Sequence, residues 1–145
     1  MISTLVLTSL VCAALPPFLA LMAPGSDPAA VCRRCIRMWE EGDLAPFDEL
    51  IARDYAGHVA SGTRDRDGLR ERIREFHALF PDVDIAVEDQ FVQGERVVTR
   101  MRASGTNSRT GARAELIGIN ISRVVNGKLL EEWATWEPAA PRPGP

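Results

Sequence analysis

The sequence predicts an α+β domain in which N-terminal helices pack on a curved, mainly antiparallel sheet, forming a cone-shaped barrel with an internal pocket. Before residue 81, apolar side chains recur mainly at helical spacing, whereas residues 83–137 alternate with a period of two. The 145 residues fit a single core, which we place at residues 26–137. A sheet bent around a long helix leaves a cavity at its open end, where ligands commonly bind.

Composition narrows the classes of partner. The chain is 46% hydrophobic and carries a formal net charge of −3, so it lacks the basic surface of a nucleic-acid binder. Glycine-rich phosphate loops and the HExxH pattern of zinc hydrolases are absent from the sequence. We therefore expect no nucleic-acid partner.

Residues 1–25 form an apolar leader without a charged residue. Residues 5–15 have the length of a secretory h-region, and residues 23–25 offer a small-x-small cleavage site. No Lys or Arg precedes the apolar run, and Pro16 and Pro17 interrupt a helix that could span a bilayer. The leader is interpreted as a signal peptide, a membrane-proximal anchor or residues ahead of the true start. We expect no stable membrane span, and a cytoplasmic location is slightly favoured over secretion.

The helices are predicted from their caps. Asp27 as N-cap and Pro28 at the first position open a helix that ends at Gly42. Asp43 can cap a short second helix, and we expect these two helices to pack as a hairpin. A third helix is predicted over residues 67–80, because apolar residues recur there at helical spacing before a proline.

Cys32 and Cys35 lie within the first predicted helix as a C-x-x-C motif. The second pair of ligands that a structural zinc site needs is missing from the sequence nearby. We interpret the two cysteines as small apolar residues on a buried helix face.

The strands follow. Residues 55–60 are interpreted as an edge strand or an extended loop. Downstream of Pro81, four long antiparallel strands are predicted, the last two joined by a type I′ turn at Asn126 and Gly127. Residues 138–145 contain four prolines and are predicted to form a disordered tail.

Candidate chemistry concentrates in the last strand. Alternation puts Trp133, Thr135 and Glu137 on one face. If that face lines the cavity, apolar surroundings would raise the pKa of Glu137 and suit it to general acid/base catalysis. The alternative is that Glu137 frays into solvent. His58 is the second catalytic candidate, because a neutral imidazole near a carboxylate can relay a proton.

Motifs along the whole domain resemble one family, the SnoaL-like polyketide and ester cyclases of the nuclear transport factor 2-like, or cystatin-like, superfamily. The resemblance covers roughly residues 31–137. It is carried by Gly42-Asp43-Leu44 after Trp-Glu-Glu, Tyr55 followed by His58, Phe80-Pro81-Asp82, Gly105-Thr106, Arg123 with Gly127-Lys128, and the closing Glu-Glu-Trp-x-x-x-acid.

This resemblance implies an intramolecular aldol closure without metal or organic cofactor, in which an acidic residue near the end of the last strand is the general acid/base. By motif position that role falls on Glu137, assisted by His58. Family cyclases usually carry Asp where this chain has Glu137. The implied ligand is a small hydrophobic molecule, and the implied assembly is a homodimer. Substrate-binding residues are then expected at Tyr55, Trp133, Met101 and Asn120.

Two other classes stay open from the residues alone. One is a non-catalytic module of the same fold that binds a small ligand or dimerises through its sheet. The other is a different reaction on the same scaffold, either a steroid-type isomerisation or an epoxide opening. The sequence does not name the substrate.

Overall fold

The computed structural model describes residues 27–139, so the predictions for the leader and for most of the tail lie outside the described residues. The elements, in chain order, are α1 Pro28–Glu41, α2 Phe47–Leu50, β1 Ile51–Val59, β2 Gly62–Arg64, α3 Arg66–Leu79, β3 Asp84–Gln93, β4 Arg96–Thr106, β5 Arg113–Val125 and β6 Lys128–Pro138.

One curved, open sheet of six strands carries the fold, in the order β2-β1-β6-β5-β4-β3. The pairing of β1 with β6 is parallel, and the other pairings are antiparallel. Helix α1 packs across β3 to β6, and α3 packs on β1. We call the side of the sheet that faces these helices the inner face and the opposite side the outer face. The predicted α+β class with a curved sheet is confirmed.

The predicted boundaries of α1 are confirmed. Asp27 Oδ1 accepts a hydrogen bond from the Ala29 amide (3.0 Å), and Pro28 occupies the first turn. Gly42 ends the helix at φ 66°, in the left-handed region that glycine tolerates. The ring of His77 lies against it: a Cβ at residue 42 would come within 2.5 Å of the imidazole. Glycine at this position therefore allows the left-handed turn and also allows α3 to pack close to the end of α1.

The region between α1 and α3 differs from the prediction. The second helix is a single turn, because the chain becomes extended at Ile51 and enters β1, so the predicted hairpin of two helices is not formed. The prediction of a strand at residues 55–60 is confirmed for residues 55–59, which belong to β1, and residue 60 lies in the following turn. The predicted edge position is wrong, because β1 lies between β2 and β6 and the short β2 takes the edge.

The four long strands β3 to β6 are confirmed. Asn126 and Gly127 both have positive φ, 51° and 74°, as a type I′ turn between β5 and β6 requires. Cys32 and Cys35 are buried on α1 without a disulfide, consistent with their interpretation as packing residues. Within residues 27–139, no helix is long and apolar enough to cross a membrane.

Candidate active site

A cavity of about 420 Å³ lies between α1, α3 and the inner face of the sheet. This volume is in the range typical of sites for small organic molecules. Its walls are largely apolar, and they include Ile36, Trp39, Leu69, Phe76, Met101 and Leu116.

Glu132 on β6 is the acidic side chain that lines this cavity in the described part of the chain. Its carboxylate lies deep below the molecular surface, where the cavity gives it access to a bound molecule. Asn120 Nδ2 donates a hydrogen bond to Glu132 Oε1 (2.9 Å), and Ser122 Oγ donates to the same oxygen (3.3 Å). The Tyr55 hydroxyl donates a third hydrogen bond. The three donors fix the orientation of the carboxyl group.

Burial raises the pKa of Glu132 above its ordinary value, because removal from water disfavours the charged form. Hydrogen bonds from Ser122, Asn120 and Tyr55, together with the positive charge of Arg64, oppose this rise without cancelling it. Burial also raises the pKa of the Tyr55 phenol, so Tyr55 remains a neutral donor at neutral pH.

The cavity thiols are protonated at neutral pH for the same reason. Burial raises the pKa of Cys32 to about 11, partly offset by a hydrogen bond with Ser122, and it raises the pKa of Cys35 further. A thiol is a weak nucleophile in this state. No group of three or more His, Cys, Asp or Glu side chains within residues 27–139 is placed to hold a metal ion.

Two glycines make room for aromatic side chains of the site. Gly57 lies directly opposite Glu132 in the parallel pairing of β1 and β6. A Cβ on Gly57 would come within 2.5 Å of the Tyr55 hydroxyl oxygen, so the absence of a side chain lets the phenol pass across to Glu132. On β5, Gly118 lies opposite Trp136, and a Cβ there would overlap the indole ring that borders the cavity.

Three of the residues proposed to bind substrate line the cavity, namely Tyr55, Met101 and Asn120. Tyr55 and Met101 are buried, at 5% and 2% exposure. Asn120 contacts Glu132 directly, and its Oδ1 is buried without a hydrogen-bond partner. Their role in substrate binding stays a prediction.

The interpretation that Trp133, Thr135 and Glu137 face the cavity together is wrong. Glu137 is exposed near the end of β6, opposite Ile117, and neither Glu137 nor Trp133 lines the cavity. Thr135 reaches its border. The inner face of β6 is instead formed by Glu132, Ala134 and Trp136.

His58 borders the cavity, but its ring interacts with side chains of the outer face. Its Nε2 lies 3.0 Å from Glu131 Oε1, and the imidazole stacks on Trp133 with ring centroids 5.1 Å apart. Trp133 is opposite His58 in the sheet, and Glu137 lies four residues further along β6, or about 13 Å. The structure therefore does not bring the two predicted catalytic residues together.

Sequence reasoning missed Glu132 because β6 contains a bulge. Val124 pairs with Leu129, but Arg123 pairs with Glu131, so Leu130 is an extra residue in β6. Leu129 is buried in the core. Unbroken alternation from Leu129 would turn Trp133 inward, whereas the bulge shifts the phase by one residue and turns Glu132 inward.

Comparisons with known proteins agree with this architecture. The sequence profile of the family described as SnoaL-like polyketide cyclase matches residues 29–142. No curated protein matches the chain in sequence.

Several solved structures are similar to this chain along most of its length. Wild-type IdmH from Streptomyces antibioticus, described as a candidate polyketide cyclase, is 30% identical, with a TM-score of 0.70 over 77% of this chain and 92% of its own. A loop-truncation variant of IdmH is 32% identical, with a TM-score of 0.68 over 76% of this chain and 92% of its own. A candidate polyketide cyclase from Acidithiobacillus ferrooxidans shares the fold at 23% identity, with a TM-score of 0.69 and coverage of 80% and 92%.

Proposed function

The chain belongs to the SnoaL-like polyketide cyclase family, and from that premise we propose that it is a small enzyme whose Glu132 carboxyl group carries protons. The substrate class is a hydrophobic carbonyl or ester compound. The reaction is a cyclisation or isomerisation that needs neither a metal nor an organic cofactor.

The observation that carries this proposal is the environment of Glu132. Its carboxyl group lies in an apolar cavity of about 420 Å³ and is held by three side-chain donors. A general base works best when its pKa lies near the operating pH, and burial moves the pKa of Glu132 upward toward neutrality. The exposed Glu137 has no comparable environment.

The chemical step follows from this arrangement. Ionised Glu132 removes a proton from a methylene carbon next to a carbonyl group, which breaks the C–H bond and leaves an enolate. The enolate carbon attacks a second carbonyl of the same molecule and forms the ring C–C bond. Protonated Glu132 then returns the proton to the new alkoxide, so that atoms and charge balance. The apolar walls exclude the water that would compete for these protons.

Tyr55, Asn120 and Ser122 are positioning residues in this scheme. They hold the carboxylate through hydrogen bonds and restrict its rotation. Loss of one donor would allow the carboxyl to move, and a misplacement of about 1 Å can cost about a hundredfold in rate.

Exchange of α-protons tests the proposal without knowledge of the natural substrate. We would incubate 2-tetralone with the protein in D₂O and follow deuterium incorporation by NMR. Wild type should accelerate exchange above the buffer rate, and Glu132→Gln should lower the acceleration by about 10²- to 10⁴-fold. Glu137→Gln is the matched control and should stay within about twofold. Equal losses in both variants, or no loss in Glu132→Gln, would contradict the proposal.

A separate experiment tests the proposal that the reaction needs no metal. Exhaustive dialysis against EDTA should leave the exchange rate unchanged. If dialysis abolished exchange and a divalent metal restored it, a metal would be part of the reaction.

We also propose that a second copy of the chain covers the outer face of the sheet. Phe91, Val98, Ile121 and Trp133 are successive cross-strand neighbours that form one row across β3 to β6. Phe91 is 63% exposed and Ile121 is 37% exposed. A continuous apolar row on a sheet face favours association, and the face of a second copy would offer the same row by symmetry.

Sedimentation velocity tests this assembly. Wild type should sediment as a dimer, and Ile121→Asp should shift it to a monomer. The control Ala112→Asp, in the exposed turn between β4 and β5, should remain dimeric. A monomeric wild type would overturn the proposal. A dimer without any α-proton exchange would favour the non-catalytic binding module.

A further inference from the structure

We propose that Arg64 anchors a carboxylate group of the substrate at one end of the cavity. The enzyme would then act on hydrophobic carbonyl compounds that carry a free carboxylate, in preference to their neutral esters. This inference rests on the proposed function, since it names the substrate class of the same site.

The first argument is the register of three neighbouring strands. Arg64 of β2 lies directly opposite Gly57 of β1, and Gly57 lies directly opposite Glu132 of β6. All three residues line the cavity. Two strand spacings separate the backbones of Arg64 and Glu132, or about 10 Å. Because Gly57 has no side chain, the space between them is left to the Tyr55 phenol and to a bound molecule.

The second argument is that the guanidinium of Arg64 is not taken up by a direct contact in the described part of the chain, although its positive charge acts on the pKa of Glu132. Among residues 27–139, its guanidinium takes part in no ion pair or hydrogen bond. The other cation that lines the cavity is Arg72, which lies 3.8 Å from Glu75 and packs over the ring of Phe76. Arg64 is therefore the cavity cation that remains available to a ligand.

The third argument is the balance of charge in the cavity. Of the two guanidinium groups in the lining of the described structure, Arg72 is paired with Glu75, whereas Arg64 has no paired carboxylate. An unpaired positive charge in a pocket with apolar walls favours an apolar anion. Guanidinium groups bind carboxylates through two parallel hydrogen bonds, which fixes orientation as well as affinity.

The side chain of Arg64 is also guided by its surroundings. A Cβ on Gly68, at the start of α3, would come within 2.8 Å of Arg64 Cγ. Gly68 thus provides the space along which the arginine stem runs. Asp65 is occupied as the cap of α3 and accepts a hydrogen bond from the Gly68 amide (2.8 Å).

The geometry suggests a probe with a carboxylate at one end and a ketone at the other. In 6-acetyl-2-naphthoate the two groups lie at opposite ends of a rigid, apolar ring system, so that each can meet a different one of the two side chains. We would measure its binding by isothermal titration calorimetry and compare it with its methyl ester. Wild type should bind the acid at least tenfold more tightly than the ester. Raising NaCl from 50 to 500 mM should weaken binding of the acid severalfold and leave the ester unchanged.

Arg64→Gln should weaken binding of the acid at least tenfold and change the ester by less than twofold. The matched control is Arg72→Gln, a second cavity arginine, which should keep the preference for the acid. Equal affinity of wild type for acid and ester, or loss of the preference in Arg72→Gln alone, would overturn the anchor.

Exchange of the acetyl protons of the same probe separates this inference from the proposed function. If the protein prefers the acid to the ester through Arg64 but does not exchange the acetyl protons, the role of Arg64 is supported and proton transfer by Glu132 is rejected. Glu132-dependent exchange with equal binding of acid and ester supports the proton carrier and rejects the anchor. Failure of folded wild type to bind either compound would count against both.

Discussion

The two faces of β5 carry opposite chemistry. The inner face of β5 presents Gly118, Asn120 and Ser122 to the cavity, whereas its outer face exposes Ile119 at 43% and Ile121 at 37%. In most antiparallel sheets the apolar face points to the core. Here the inner face of β5 borders a cavity, and small and polar residues face it. Alternation identifies the two faces of a strand, but it does not identify which one lines a cavity.

The largest expected effect comes from a change that exchanges the two faces of β6. Insertion of one alanine between Leu130 and Glu131 adds a residue beyond the one that the bulge already absorbs, and would turn Glu131 and Trp133 inward. We expect the insertion to destabilise the fold by more than about 3 kcal/mol, because it misplaces every side chain beyond residue 130. Urea unfolding followed by far-UV circular dichroism measures the change.

Leu130→Ala is the matched control for that insertion. It shortens the side chain but keeps the register, so its cost should be clearly smaller. If the insertion were no more harmful than Leu130→Ala, the register of β6 beyond the bulge would not determine the inner face.

A second test changes the side-chain volume on each face of β5. Gly118→Val would force a side chain into the space of the Trp136 indole, and we expect a loss of about 1–3 kcal/mol in the free energy of unfolding. Ile119→Val on the outer face should cost less than about 1 kcal/mol, since Ile119 is substantially exposed. Similar losses from the two substitutions, measured by urea titration, would contradict the assignment of the faces.

The third test compares Glu132 with Glu137 through the effect of pH on the free energy of unfolding. Because the pKa of Glu132 is raised in the folded protein, the folded state binds more protons than the unfolded state between the ordinary and the raised value. Stability should therefore fall as pH rises through that window.

Glu132→Gln should remove this loss and be more stable than wild type at pH 8, with little difference at pH 4. The gain is about 1.4 kcal/mol for each unit by which the pKa is raised. Glu137→Gln makes the same substitution at an exposed position and is the matched control. The urea midpoints of wild type and both variants, measured at pH 4 and pH 8, test this prediction. If the two variants changed stability with pH in the same way, the raised pKa of Glu132 would be refuted.

The smallest expected effect concerns the outer-face pair of His58 and Glu131. Both side chains are partly exposed, at 35% and 29%, so Glu131→Gln should cost less than about 1 kcal/mol of stability. Exchange of 2-tetralone protons should stay within about twofold of wild type. A tenfold fall in exchange would instead show that His58 takes part in the reaction, as the family resemblance implies.

Local sequence signals predicted most of the fold. Asp27 and Gly42 marked the ends of α1, and Asn126-Gly127 marked the hairpin between β5 and β6, because caps and turns depend on neighbouring residues alone. The errors fell at β1, whose place beside β6 depends on a parallel pairing with a strand more than 70 residues away. Such non-local pairings leave no local signal in one sequence.

The candidate site was also predicted only in part from the sequence. Tyr55, Met101 and Asn120 were placed in the cavity wall from the sequence, and the cavity contains them. The acidic residue was not found, since both Glu132 and Glu137 satisfy an alternating pattern in which the phase is free.

The sequence by itself determined α1 and α3, the four long strands, the β5–β6 turn and the concentration of carboxylates in the last strand. Tertiary structure decided which carboxylate faces the cavity, because the extra residue Leu130 shifts the register of β6 against β5 by one position. It also brought Arg64, Gly57 and Glu132 into one row across three strands. A strand turns a side chain to the opposite face with every residue, so a single bulge determines the chemistry of the site.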